Sequence, residues 1–170
     1  MKKTSSILLW NAIFLTCFYG CTVERSEKFD QEIKLMVETS VREVIDAHNL
    51  YWQGDALNNL DNIVSLRTDD CVSIMEGHSS SKNEMQKGIL DWLNKTKKNK
   101  TKISYEYKDI TVKPLSHNLA YANVEYKTIM TDSVNNSRNF IAIHTMIFKK
   151  ENNNWKIILE HESFNKDAGD

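Results

Sequence analysis

The sequence predicts an α+β fold in which three N-terminal helices pack on one face of an antiparallel sheet. Apolar residues recur at helical spacing in three segments before residue 95. A capping-box pattern opens the third of these segments. Beyond residue 102 the character changes to four alternating stretches divided by polar turns, which reads as a β-meander.

The first helix is set by Ile33, Val37, Val41, Val44, His48 and Tyr51, a stripe that ends at Gly54. Asp55 suits the N-cap of a second helix carrying Leu57, Leu60, Ile63, Val64 and Leu66. Asp69-Asp70 breaks that pattern, and Cys71 to Met75 reads as a short strand. Ser81-Lys82-Asn83-Glu84 opens the third helix, with Met85, Ile89, Trp92 and Leu93 on one side. The basic stretch from Lys95 to Lys102 reads as a solvated loop, with an anion patch as the alternative. Strands follow at about 103–113, 118–131, 138–150 and 154–164, divided at Pro114 to Asn118, at Asp132 to Ser137 and at Glu151 to Asn154.

The order helix, Gly54-Asp55, helix, Asp69-Asp70-Cys71-Val72, Gly77, a helix with Trp92, and a last hairpin from Phe148 through Trp155-Lys156-Ile157 to His161-Glu162-Ser163 resembles the nuclear transport factor 2-like superfamily. Within it, the SnoaL-like polyketide cyclase and ketosteroid isomerase-like branches are the most similar. The resemblance covers about Ile33 to Phe164. It implies a cystatin-like roll, in which a curved sheet wraps the first helix into a conical pocket, and dimerisation through the sheet.

Strand alternation locates the pocket wall independently. Trp155, Ile157, Leu159, His161 and Ser163 share one face of the last strand. With the turn at 151–154, Lys150 lies opposite Trp155, Phe148 opposite Ile157, Met146 opposite Leu159, and His144 opposite His161. An odd loop or a bulge would change this pairing. The expected pocket residues are Tyr51, Trp92, Met146, Phe148, Trp155, His161 and Ser163. His48, on the first helix, is placed to approach His144 and His161.

Three roles are open to these histidines. They suit hydrogen-bonded core or rim positions, ligand orientation or acid–base catalysis near neutral pH, or zinc ligation. No metal or cofactor is expected, because no local ligand spacing is present. Ketosteroid isomerisation does not transfer from the resemblance. The position of its base falls near Met75, with Glu76 as neighbour, and its tyrosine falls near Ala47 or His48. Glu76 therefore joins the three histidines as a catalytic candidate.

The opposite strand faces carry Ile141, Ile143, Thr145, Ile147 and Ile158, with Glu160 and Glu162 nearer the end. So much apolar surface predicts a homodimer through the sheet. The net charge of −1, with mixed signs, implies no nucleic-acid partner.

The N-terminus sets the location. Lys2 and Lys3 precede an apolar run from Ile7 to Phe18, too short for the roughly 20 residues of a membrane span. Gly20-Cys21 at its end resembles a lipobox, in which a small residue precedes the thiol that carries the lipid. The expected organisation is a signal over 1–20, lipidated Cys21 with a spacer over 21–31, a domain over 32–165 and a tail over 166–170. The mature protein is expected on a bacterial envelope membrane, with plain secretion to the periplasm as the alternative. Cys17 leaves with the signal, so Cys71 has no disulfide partner and reads as a core residue.

Together these readings predict a lipid-anchored pocket domain, non-catalytic or of unassigned activity, for a small apolar or amphipathic molecule. The alternatives are a cofactor-independent lyase or isomerase using His48, His144 or His161, and an interaction module of an envelope assembly.

Overall fold

The computed structural model describes residues 7–53 and 55–165, with side chains from residue 30 to residue 164 except at residue 54. The expected signal over 1–20, the Cys21 thiol, Gly54 and the tail over 166–170 involve residues or side chains outside that range. The chain divides into two units, Met1–Met36 and Val37–Asp170. The described part of the first unit is helical and belongs to α1 (Ile7–Gln53). This includes residues 22–31, the expected spacer, which no glycine or proline interrupts. Among the described residues no helix is long and apolar enough to cross a membrane.

The second unit is built from the Val37–Gln53 part of α1, α2 (Leu60–Ser65), α3 (Lys82–Lys98) and six strands. The strands are β1 (Arg67–Met75), β2 (His78–Ser81), β3 (Lys102–Ser116), β4 (Leu119–Thr131), β5 (Ser137–Glu151) and β6 (Asn154–Asn165). They form one sheet in the order β2-β1-β6-β5-β4-β3. All neighbours are antiparallel except β1 and β6, which run parallel. This is the α+β class expected, with helices on a curved sheet; the four-strand meander is joined by β1, which contains the short strand expected at 71–75, and by β2, which was not expected.

Both additions come from the segment before α3. Asp69 and Asp70 lie within β1 rather than ending a helix, and both point to solvent, where a strand tolerates charge. Glu76 and Gly77 have φ of 47° and 83°, and Met75 pairs with His78, so a two-residue turn returns the chain as β2. All four β2 residues, His78 to Ser81, are polar, which left no hydrophobic alternation to read. Ser81 then caps α3 through the expected capping box with Glu84. Lys95, Lys97 and Lys98, expected in a loop, form the last turn of α3, where they complement the helix dipole.

Val37, Val41 and Ile45 of α1 are buried with Met146, Phe148, Trp155 and Ile157 of the sheet. Each such side chain contributes about 1.5–3 kcal/mol on burial. The pairing of the last hairpin starts as expected, with Lys150 opposite Trp155 and Phe148 opposite Ile157. It then shifts by one residue, so that Ile147 meets Leu159, Met146 meets Glu160, and His144 meets Glu162. Ile158 is the extra residue of a β-bulge. From there the faces of β6 are exchanged relative to strict alternation. Glu160 is buried and Glu162 half-buried toward the helices, while His161 and Ser163 are exposed on the far face.

Candidate functional site

On its concave side the second unit holds a cavity of ≈ 680 Å³. Trp52 of α1, Trp92 of α3, Tyr105 and Tyr107 of β3, and Tyr126 of β4 supply an aromatic wall. Met75, Met85, Ile89, Met130, Phe140 and Phe164 add apolar surface. The rings meet in a chain. Trp92–Trp52 centroids are 6.2 Å apart, Trp52–Tyr105 5.7 Å, Tyr105–Tyr126 6.0 Å and Tyr126–Tyr107 5.8 Å.

At one end of the cavity lies a buried polar network. Arg67 donates from Nε to Glu160 Oε1 at 2.8 Å and from Nη2 to Oε2 at 2.6 Å. Its Nη1 donates to the Ile63 carbonyl at 2.6 Å. Burial works to raise the Glu160 pKa, but Arg67 and the His144 hydrogen bond outweigh it and hold the carboxyl well below the usual range. An ionised Glu160 only accepts, so the 3.1 Å contact with His144 is donated by Nε2–H.

His48 closes the network. Trp52 Nε1–H donates to its Nε2 at 3.1 Å, and Arg67 Nη2 reaches the same atom at 3.4 Å. Two pure donors on Nε2 place the proton of a neutral ring on Nδ1, which donates to the Tyr107 hydroxyl at 3.4 Å. Burial, then the charge of Arg67, hold the His48 pKa well below its ordinary value, so the ring is neutral at physiological pH.

Glu162 sits beside this network and is not part of it. Its register partners are Met75 on β1 and His144 on β5, and its side chain lines the cavity. Among the described residues no side-chain hydrogen bond or ion pair reaches its carboxyl. Burial raises its pKa to about 7, with Arg67 pulling the other way. Thr128 Oγ1, buried on β4 behind the cavity wall, also has no partner among the described residues. Burial also raises the pKa values of Tyr105 and Tyr107, so both phenols stay neutral.

The candidates named from sequence are distributed unevenly. His48 and His144 converge, with ring centroids 5.7 Å apart, and both line the cavity. His161 does not join them: it pairs with Thr145 on the solvent side, because the Ile158 bulge turned β6 over. Ser163 follows it outward. Trp92 lines the cavity, but Met146, Phe148 and Trp155 are buried in the core and do not line it. Tyr51 is half-buried off the cavity, and its neighbour Trp52 takes the place expected for it. Glu76 reaches the rim from the β1–β2 turn and is exposed. The Cys21 thiol lies outside the described side chains. Among the described residues no group of three His, Cys, Asp or Glu is arranged to hold a metal.

Sequence reasoning missed Arg67, Glu160 and Glu162. The alternating carboxylates at 160 and 162 are visible in the sequence, but strict period-2 alternation puts both acids on the wrong face, and Arg67 lies 93 residues from Glu160.

Comparison with known proteins places this geometry. The family model of the SnoaL-like domain matches residues 41–166. No curated protein matches the sequence. Among solved structures, an NTF2-like protein of unknown function from Pseudomonas putida KT2440 is similar at 16% identity and TM-score 0.63, over 76% of this chain and 87% of that one. A hexachlorocyclohexane dehydrochlorinase is similar at 14% identity and TM-score 0.61, over 80% and 92%. A Novosphingobium aromaticivorans protein described as a scytalone dehydratase is similar at 11% identity and TM-score 0.63, over 82% and 93%.

Proposed function

The chain belongs to the SnoaL-like domain family, and from that premise we propose that it is a small-molecule-binding domain whose cavity takes one apolar or amphipathic ligand. The observation that carries this reading is the cavity itself. Its ≈ 680 Å³ lie in the range of small-molecule sites, and aromatic and methionine side chains wall it with polar groups gathered at one end. Native mass spectrometry of the purified chain tests it. A co-purifying small molecule, or saturable quenching of Trp52 and Trp92 fluorescence by a neutral aromatic probe such as N-phenyl-1-naphthylamine, is the expected result. A cavity that neither carries nor takes up any molecule would overturn it.

One observation favours a second reading, a cofactor-independent lyase or isomerase. Glu160 fixes His144 through Nε2, and among the described residues Nδ1 has no partner. A carboxylate-oriented imidazole on a cavity wall suits a general base. The dehydrochlorinase and the dehydratase are named for eliminations of that type. On this reading His144→Gln lowers turnover of a cavity ligand by about 10²-fold or more while binding persists. Unchanged turnover removes His144 as the base.

The proposal extends to location and assembly. Cys21 carries a lipid that displays the domain from the cell envelope, and incorporation of labelled palmitate that Cys21→Ser abolishes is the expected result. A second copy covers the outer sheet face, where Ile143 is 46% exposed between half-buried Ile141 and Ile147. A monomer by light scattering at micromolar concentration argues against that dimer.

A further inference from the structure

We infer that the cavity selects an organic cation, a small ammonium on an aromatic or alkyl body, whose charge is met by Glu162 and the aromatic wall. The inference rests on the ligand-binding reading above and narrows the ligand class.

It starts from a count of charges on the lining. Arg67 is the one arginine or lysine there among the described residues, and Glu160 neutralises it through two hydrogen bonds. Of its other N–H groups, one on Nη1 goes to the Ile63 carbonyl and one on Nη2 reaches His48, so the Arg67 charge is already met inside the network. Among the described residues Glu162 has no such partner, and Glu76 adds a second carboxylate at the rim. The cavity therefore turns negative as Glu162 ionises.

An unpaired carboxylate facing apolar surface is costly, and the cost is relieved by neutralisation or by a counter-charge. Near neutral pH Glu162 stands at the balance between these two outcomes, since its pKa is about 7. An entering ammonium supplies the counter-charge and displaces the proton to solvent.

The walls around it fit the same guest. Trp52, Trp92, Tyr105, Tyr107 and Tyr126 form one chain of neutral rings, and ring faces attract cations. A neutral apolar ligand would leave Glu162 unmatched.

The pH dependence follows from the groups around Glu162. On β1 is Arg67, on α1 neutral His48, on β5 His144 and on β6 Glu160. The phenols of Tyr105 and Tyr107 on β3 and Tyr126 on β4 complete the inner circle, with Glu76 and His78 at the rim. α3 presents no titratable side chain to the cavity. Cation affinity then rises as pH passes upward through about 7, the pKa of Glu162.

The test titrates the full chain with benzylammonium, benzyl alcohol and benzoate, three soluble probes of one shape, followed by tryptophan fluorescence at several pH values. The expected order is benzylammonium tightest by about ten-fold, with benzoate weakest. Raising the pH from below to above the Glu162 pKa strengthens benzylammonium binding alone. Glu162→Gln keeps the side-chain volume, so it retains benzyl alcohol binding but loses the cation preference and its pH dependence. Benzyl alcohol binding as well as or better than benzylammonium, or a cation preference that survives Glu162→Gln, overturns the inference and leaves the cavity reading standing. Absence of saturable binding by all three probes overturns both.

Discussion

Arg67 and Glu160 face each other as a two-pronged ion pair, Nε–Oε1 2.8 Å and Nη2–Oε2 2.6 Å, with side chains only 3% and 4% exposed. The pair staples β1 to β6, 93 residues away in sequence, in the parallel part of the sheet. Removing one partner leaves a buried charge without compensation, which costs about 3–5 kcal/mol. Arg67→Met and Glu160→Gln are each expected to destabilise strongly. The double variant is expected to cost less than the sum of the two, by about 2 kcal/mol or more. Urea denaturation of the three variants checks this, and additive costs would show that the pair contributes no coupling.

Stability should depend on pH through Glu162 with a definite sign. The folded pKa of about 7 lies above the ordinary 4.5, so the unfolded chain loses the proton first. From there up to the folded pKa the folded state holds more protons, and stability falls as pH rises, by about 3 kcal/mol at most. His48 and Glu160 act oppositely. Their folded pKa values are depressed, so what they contribute is present above the unfolded values and lost as pH falls. The clean readout is therefore the stability of the wild type minus that of Glu162→Gln. That difference should decline from about pH 4.5 and level off above the folded pKa; a flat difference would mean that the carboxyl is not desolvated.

His161 and His144 should separate experimentally although they lie on neighbouring strands. His161 is exposed on the far face of β6, so His161→Ala should alter stability by no more than about 0.5 kcal/mol and leave cavity binding intact. His144→Ala removes the Nε2–H donor of the buried Glu160 carboxylate and should cost about 1–3 kcal/mol. Thermal melts with probe titrations distinguish them. Equal effects would place both rings in the cavity.

The elements were legible in the sequence wherever a period was kept. The α1 stripe Val37–Val41–His48, the capping box Ser81–Glu84 and the tetrad of long strands follow directly from spacing. The site was only half legible, because its chemistry depends on breaks in the period. Ile158 looks like any other strand isoleucine, yet as the bulge residue it turns Glu160 and Glu162 inward and His161 outward. The Arg67–Glu160 pair was hidden for another reason. It depends on the parallel contact of β1 with β6, and no local turn announces a pairing across such a sequence distance.

Cys71 reports on that same junction. It sits buried on β1, four positions after Arg67, and burial followed by the charge of Glu160 raises its pKa to about 12. At mildly alkaline pH its thiolate fraction is about three orders of magnitude below that of a free cysteine. Iodoacetamide should therefore modify Cys71 negligibly in the folded chain and rapidly in urea, as read by peptide mapping. Arg67→Met loosens the β1–β6 contact and should raise the native labelling rate, because openings that expose the strand become more frequent. Labelling as fast in the folded wild type as in urea would contradict the buried placement of β1. A rate that Arg67→Met leaves unchanged would separate the ion pair from the stability of that strand.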